Sequence, residues 1–314
     1  MPTVLVIYNP VAGRGRTQHH WPEVELALQQ AGVDFVAVPT RAALDATKMA
    51  ARAPGMYAAV IGVGGDGTVH EIVNGLAHAS GDGETLPLGV IPLGNGDDFA
   101  KLIPPQAPVG GKPFDWRVAV EKIASMQTRV FDLGCITNGT QGSPTHETHY
   151  FMNGMDIGFG AHGVLNFTTI PRFITGFPAY LAAVFKTMLR YPLLPVRVQM
   201  DDQPAIEQVT AMTAVMNGRC FGNGFWVTPT AMPDDGLFDV MVAQAVGRLT
   251  ILRLVPKFTR GTHTGERVLR FYQARKVVIE SETPLVVEAD GELPFRAAHR
   301  LEIEVLPRKL QVIV

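Results

Sequence analysis

The amino-acid sequence predicts an α/β domain followed by a mainly β domain, and three observations carry that expectation. In the first third of the chain, short apolar runs alternate with amphipathic helical patterns, as in a doubly wound parallel sheet covered by helices. Three of those runs end in glycine-containing loops. From Arg129 onward the texture changes to short apolar runs separated by turn signals, the pattern of an antiparallel β-sandwich. The expected organisation is 1–129 for the first domain and 130–300 for the second, with 301–314 as a C-terminal strand returning to the first.

Taken in order, residues 3–8 read as a buried strand, 9–16 as a loop, and 21–30 as a helix with Trp21, Val24 and Leu28 on one face. A strand over 34–38, a helix over 42–52 and a strand over 58–63 follow. The segment 68–78 repeats Val69, Ile72, Val73 and Leu76 at helical spacing. Strand 88–92 runs into 93–101, whose later part is expected to open a helix. A helix over 116–126 comes after the Pro- and Gly-rich stretch 104–113. In the second domain, strands are expected over 130–136, 149–152, 196–200, 209–216, 238–242, 276–281, 284–289 and 301–305, interrupted by one helix over 180–189. Ligands of open α/β sheets bind beyond the carboxyl ends of the strands, so the glycine loops of the first domain should form one site.

Bulk properties exclude several classes. The 314 residues are 46% hydrophobic and 18% charged, enough to bury a sizeable core. A net charge of −2 gives no support for nucleic acid as the partner. Cys135 and Cys220 make neither a zinc pattern nor a disulfide framework and fit a reducing, cytoplasmic setting. No signal-peptide pattern and no run of 18 apolar residues is present, so a soluble chain is expected, peripheral at a membrane at most.

The richest loop is Gly64-Gly65-Asp66-Gly67-Thr68. Glycines at a strand-to-helix turn let backbone N–H groups approach phosphate oxygens, and the helix N-terminus favours negative charge. An aspartate within such a loop would repel bare phosphate unless a cation lies between them or it orients an attacking hydroxyl; both suit phosphoryl transfer. Gly62 to Gly67 also matches G-x-G-x-x-G, but no acid closes the next strand, which rejects a dinucleotide fingerprint. The Walker pattern G-x-x-x-x-G-K-[ST] is absent.

Three blocks, NPVAG from Asn9 to Gly13, GGDGTVHEIVNGL from Gly64 to Leu76 and PLGNGDDFAK from Pro92 to Lys101, resemble the catalytic domain of diacylglycerol and sphingosine kinases. Pro229-Thr230-Ala231, DDGLFDV from Asp234 to Val240, and Asp290-Gly291-Glu292 extend the resemblance over almost the whole chain. It implies a phosphofructokinase- or NAD kinase-like nucleotide domain, a lipid-carrying β domain, and dependence on ATP and Mg²⁺. By the same resemblance Asn9, Pro10, Gly13, Arg14 and Arg16 would frame the nucleotide. Gly64, Gly65, Asp66, Gly67 and Thr68 would hold the triphosphate and its metal, supported by Glu71 and Asn74, with Gly94, Asn95, Gly96 and Asp98 completing the site. Asp290 would take the proton of the lipid hydroxyl and Glu292 would orient it or help bind metal; Asp66 is a rival for the base. Asp235 is a candidate for a structural cation. One departure stands out: Asp97 occupies a position where the family usually carries an amide.

The segment 158–195 is the most apolar long stretch and is expected to frame an acyl-chain pocket or meet the lipid interface, with Lys186 and Arg190 beside anionic headgroups and Arg172 reaching a phosphate. Blander readings stand beside these. A Leu/Val/Phe/Met stripe usually packs a core, Asp66 could simply cap a helix, and Asp290-Gly291 alone is a hairpin turn. The expected activity is transfer of the ATP γ-phosphoryl group to a membrane lipid, with a homodimer as the oligomeric expectation. The rivals are a NAD kinase-like enzyme and a non-catalytic nucleotide- or lipid-binding regulator.

Overall fold

The computed structural model describes residues 3–104, 106–139, 147–167, 169–171, 177–189, 193–222 and 224–314, with the backbone alone for 177–181. The chain divides into two compact units: Met1–Leu133 with Pro233–Asp235 and Leu306–Val314, and Gly134–Met232 with Gly236–Val305.

The first unit alternates strands and helices: β1 (Val4–Tyr8), α1 (Ala12–Gln30), β2 (Phe35–Pro39), α2 (Asp45–Ala51), β3 (Val60–Gly64), α3 (Asp66–Ala79), β4 (Leu88–Pro92) and α4 (Trp116–Ser125). Its strands pair in parallel in the order β4-β3-β1-β2. Both faces are covered, which is why these strands are near-continuous apolar runs. Val6, Ile61, Val63 and Ile91 pack against Val24 and Leu28 of α1 and Val120 and Ile123 of α4. On the opposite face α3 lies over Gly62, where an added Cβ would sit 2.9 Å from the Ile72 side chain. The segment after Pro92 forms only a 3-10 turn, Ala100–Leu102, and not the helix expected there. Asp97 and Asp98 bond within the segment, to the Gly94 N–H and to Lys101, and Asp66 takes the Phe99 N–H.

The second unit is antiparallel. It contains the end of β5 (Thr128–Asn138), β6 (Thr148–Phe151), β7 (Gly154–Gly158), α5 (Phe159–Phe167), α6 (Phe177–Leu189), β8 (Leu194–Met200), β9 (Ile206–Met216), β10 (Phe238–Gln244), α7 (Arg248–Thr259), β11 (Leu269–Ala274), β12 (Lys276–Ala289) and most of β13 (Glu292–Ile313). The strand order is β11-β10-β9-β7-β12-β13, with β8 pairing both β9 and β12. Inward residues of these strands, among them Phe151, Ile157, Val198, Val215, Val240, Ile279, Val287 and Leu301, form its core. β13 continues into the first unit, where Val312 pairs in parallel with Leu88.

Among the described residues three helices, not one, interrupt this β unit. α5 was hidden by the glycines flanking and entering it, and α7 by Pro256 and its three basic residues. β7 was missed because five residues bounded by Gly154 and Gly158 give too short a signal.

α2 is fixed to α3 from two sides. Glu71 Oε1 and Oε2 accept the Leu44 and Ala46 N–H groups at 2.9 and 3.1 Å, filling the exposed donors at the N-terminus of α2. Gly75 of α3 lets the helices touch, because a Cβ there would lie 2.3 Å from the Thr47 carbonyl oxygen. Gly75→Ala is therefore expected to destabilise the protein by about 1–3 kcal/mol despite alanine's higher helix propensity, measured as a lower denaturant midpoint in chemical unfolding.

Candidate functional site

In the first unit, the loops after β1, β3 and β4 meet. Asn9 closes β1 and its Nδ2 donates to Thr68 Oγ1 at 3.0 Å, while its Oδ1 accepts the Val11 N–H at 3.2 Å. Gly13, Arg14 and Gly15 then take left-handed conformations, with φ of 59°, 63° and 85°, before the regular helix of α1 begins. Gly13 is required there, because a Cβ would sit 2.2 Å from the Leu93 carbonyl oxygen. Arg16 Nε donates to that same oxygen at 3.3 Å. Pro10 is half-buried, and the Arg14 and Arg16 residues are exposed.

The loops after β3 and β4 touch backbone to backbone. A Cβ on Gly65 would lie 2.9 Å from Gly94 Cα, and one on Gly94 would lie 2.3 Å from Gly65 Cα. The Leu93 N–H donates to the Gly64 carbonyl at 2.9 Å. Gly65 is the N-cap of α3 and no side chain caps that terminus. Its first-turn N–H groups and dipole form an anion-attracting end. Asp66 Oδ1 accepts the Phe99 N–H at 3.1 Å, drawing the two loops together from a second point. Asn95 is exposed and Gly96 half-buried at the outer edge of this junction.

Negative charge is concentrated here. Asp97 is 8% exposed and adopts φ 49°, its Oδ1 accepting the Gly94 N–H at 2.9 Å. Asp98, 4% exposed, pairs with buried Lys101 at 2.5 Å. Asp66 is pushed well above the ordinary carboxylate range, first by desolvation and then by the charges of Asp98 and Asp97. Desolvation also raises Asp97, to about 6, against the lowering effects of the Gly94 N–H and Arg16. The bonds of Glu71, expected to support the glycine loop, run instead to α2. Asn74 Nδ2 donates to the carbonyl of buried His70 at 3.0 Å.

The second unit holds Asp290 at the tip of the β12–β13 hairpin. Asp290 and Gly291 both have positive φ, 50° and 92°, and Ala289 pairs with Glu292, the geometry of a two-residue hairpin loop. The Asp290 carboxylate accepts the N–H groups of Met152, Asn153 and Gly154 at 2.8, 2.9 and 3.2 Å. Asn217 holds that donor segment, with its Nδ2 on the Met152 carbonyl at 3.0 Å and its backbone N–H on the Asn153 carbonyl at 2.9 Å. Glu292 is exposed.

A cavity of about 90 Å³ lies in this unit, almost wholly apolar, lined by Phe159 of α5, Val184 of α6, Met241 of β10, and Ile251, Leu254 and Phe258 of α7. Arg172 and Arg190 fall outside the described residues.

Asp235, exposed, follows Asp234, whose Oδ2 accepts from Arg129 Nε at 2.9 Å. Among the described residues no group of three or more His, Cys, Asp or Glu side chains gathers to hold a metal ion. Asp156 and Glu288, both buried in strands, were not singled out in the sequence. Each is a lone acid between apolar neighbours, Met155-Asp156-Ile157 and Val287-Glu288-Ala289, and that contrast was the available signal.

Two family models match the chain: the diacylglycerol kinase catalytic domain over residues 3–136, and the YegS C-terminal NAD kinase beta sandwich-like domain over 157–314. Diacylglycerol kinases of Mycobacterium tuberculosis and Bacillus subtilis are each 28% identical, covering 99% and 93% of this chain and 94% and 90% of their own lengths. A crystal structure of a diacylglycerol kinase from Bacillus anthracis superposes with a TM-score of 0.71 at 24% identity, covering 99% of this chain and 96% of that one. Yeast NADH kinase complexed with NADH shares the fold more distantly, with a TM-score of 0.55 at 9% identity over 100% of this chain and 83% of that one.

The raised Asp97 carboxyl has a measurable consequence for stability. Its folded value lies above its unfolded value, so its stabilising contribution is complete below about pH 4 and lost as pH rises through about 6. Asp97→Asn keeps the acceptor for Gly94 N–H and removes the charge. The variant is expected to be more stable than the parent at pH 8, by up to roughly 3 kcal/mol, and equal to it near pH 4, as read from urea unfolding across that range.

Proposed function

Because the chain belongs to the diacylglycerol kinase family, we propose that it transfers the γ-phosphoryl group of Mg²⁺-bound ATP to the hydroxyl of a diacylglycerol-like or sphingoid lipid. That it is a lipid kinase follows from the family; the nucleotide, the metal and the acceptor are this proposal's own content. The observation that carries it is the Gly65–Gly94 contact, which brings the loop after β4 against the N-terminus of α3 beside Asp66 without a side chain on either glycine. A triphosphate suits such a place, since backbone N–H groups and the helix dipole favour it.

The residues fit Mg²⁺. This ion takes one or two carboxylates, with phosphate oxygens and water filling the rest, and needs no all-protein cage. Asp66 is the residue assigned to hold it: loss of solvent and the neighbouring Asp98 and Asp97 disfavour its bare charge, and a cation would favour it. The metal would neutralise charge on the transferred phosphoryl group. Asn9 orients Thr68, and Arg14 and Arg16 supply positive charge for phosphate oxygens. At the acceptor end, Asp290 is assigned as general base, its carboxylate orientation set by three backbone donors, with Glu292 orienting the hydroxyl.

The lipid reading draws on charge distribution. Residues 157–200 and 240–265 contain no Asp or Glu and together eight Lys or Arg, in a chain with 29 acids in all. These segments build α5, α6 and α7, which line the apolar cavity. Phe185 and Leu189 of α6 and Leu249 and Leu252 of α7 are exposed, and Arg248 joins the two helices by donating to the Met188 and Leu189 carbonyls at 3.1 and 3.0 Å. Arg253 and Lys257 pair with Glu266 and Arg197 with Glu280, and exposed apolar side chains in this cation-rich stretch suit an anionic membrane surface. Among the described residues no helix is long and apolar enough to cross a membrane.

The decisive experiment is transfer of radiolabelled γ-phosphate from ATP to a panel of lipids in mixed micelles, by wild type and by Asp290→Ala. Labelling of a lipid by wild type, at least ~10²-fold slower in the variant, is the expected result. ATP binding without labelling of any lipid would instead favour a regulator on the same fold. Sedimentation with vesicles containing anionic lipid tests the approach to the membrane. Leu249→Glu is expected to weaken binding about tenfold, the loss of one inserted leucine, while leaving turnover of a monodisperse short-chain lipid unchanged.

A further inference from the structure

Asp156 and Glu288 are buried acids of the second unit, 0% and 2% exposed. They sit directly opposite each other, since Glu288 of β12 pairs in register with Asp156 of β7, which puts both side chains on one face of the sheet. Each carboxyl divides its two oxygens between different tasks. Glu288 Oε1 accepts the Gly291 N–H in the Asp290 turn, and Asp156 Oδ1 accepts the Ala161 N–H in the first turn of α5 at 2.8 Å. The remaining oxygens, Asp156 Oδ2 and Glu288 Oε2, are buried and receive no donor from any other group.

Ionised carboxylates only accept hydrogen bonds. Two of them side by side, away from water, would both be unsatisfied and would repel strongly. A single proton held between the pair meets both demands, as in a catalytic aspartate dyad. Desolvation raises both acids, Asp156 to about 6 and Glu288 well above the ordinary range, so the pair keeps one proton through neutral pH. Among the described residues the surroundings supply no competing cation. Asp290 at the end of β12 adds negative charge toward Glu288, β9 places Ala214 opposite Asp156, and on α5 the nearest titratable group is His162, whose Nδ1 engages the Gly158 carbonyl at 2.9 Å. Gly160 leaves the needed space, because a Cβ there would lie 2.2 Å from Asp156 Oδ2.

We infer that Asp156 and Glu288 share one proton and through it tie the Asp290–Gly291–Glu292 turn to the start of α5, making them a positioning pair for the acceptor end of the reaction. α5 contributes Phe159 and Gly160 to the apolar cavity. The lipid-facing helix and the proposed base are thereby held by one short chain of hydrogen bonds. The positioning role rests on the assignment of Asp290 as base; the shared proton does not.

Asp156→Asn and Glu288→Gln exchange the shared proton for a permanent amide donor, whereas Asp156→Ala and Glu288→Ala leave the partner's oxygen unsatisfied. The first readout is the infrared spectrum of the folded full chain at neutral pH. With Asp66→Asn in the background, which removes the other strongly raised carboxyl, a protonated-carboxyl C=O band is expected that shifts in D₂O, persists on adding Asp290→Ala and is lost on adding either amide variant. The second readout separates kcat from KM. The amide variants should keep kcat near wild type, and the alanine variants should lose roughly 10- to 100-fold in kcat with KM for ATP unchanged. The decline of wild-type kcat as pH rises through the raised Glu288 value should be absent from the amide variants. A missing band, a band surviving both amide substitutions, or a Glu288→Gln variant as impaired as Glu288→Ala would overturn the inference. Absence of lipid turnover in wild type would count against the kinase reading alone, since the band decides the shared proton independently.

Discussion

The first unit depends on how closely two backbones can approach. Gly65 and Gly94 meet with no side chain between them, and a methyl group on either would strike the other's backbone. Much else follows from that contact. The chain leaves it on one side as the uncapped start of α3 and on the other as a loop that must turn sharply, with Asp97 in a left-handed conformation held by its own bond to the Gly94 N–H. The turn in turn brings the Phe99 N–H to Asp66. A helix N-terminus, a desolvated carboxylate and a glycine-lined floor thus meet at one steric allowance.

The architecture was legible in the sequence where a single physical signal dominated. Near-continuous apolar runs ending in glycine announced β1, β3 and β4, because strands buried on both faces need no polar alternation. The same reasoning failed after Pro92, where an expected helix proved to be a single 3-10 turn: Asp97 and Asp98 bond Gly94 and Lys101 three residues away, and Asp66 takes the Phe99 N–H from the neighbouring loop, so side-chain bonds overrode the helical pattern. It failed again for α5 and α7, whose glycines, proline and cations disguise helices that tertiary packing stabilises.

In the site, residues that act through backbone geometry were readable. Asn9, Gly13, Gly65 and Gly94 are legible from their types alone, since only those types satisfy the turns they occupy. Residues whose meaning depends on a distant partner were not. Glu71 looks like a support for the loop next to it, yet its oxygens face the start of α2, a relation that no spacing along one helix discloses. Asp156 and Glu288 are 132 positions apart and acquire significance only from the register of β7 against β12. Charge segregation lies between these cases. The two acid-free segments are visible in the sequence, but that they build neighbouring helices follows from the bonds of Arg248 to the end of α6.

The Asp290-Gly291 tip also governs how the molecule ages. An Asp-Gly pair in a loose chain is prone to cyclise, the glycine nitrogen attacking the aspartate side-chain carbon to give a succinimide and then isoaspartate. Here the attacking nitrogen has its hydrogen committed to Glu288, and the carboxylate it would attack is drawn the other way by three N–H groups from the Met152–Gly154 segment. The fold therefore serves as a chemical preservative for this dipeptide. In an unfolded chain that protection is gone, and the tip becomes open to an added methylene in its backbone, as are the Asn-Gly pairs of the second unit, Asn138-Gly139, Asn153-Gly154, Asn217-Gly218 and Asn223-Gly224.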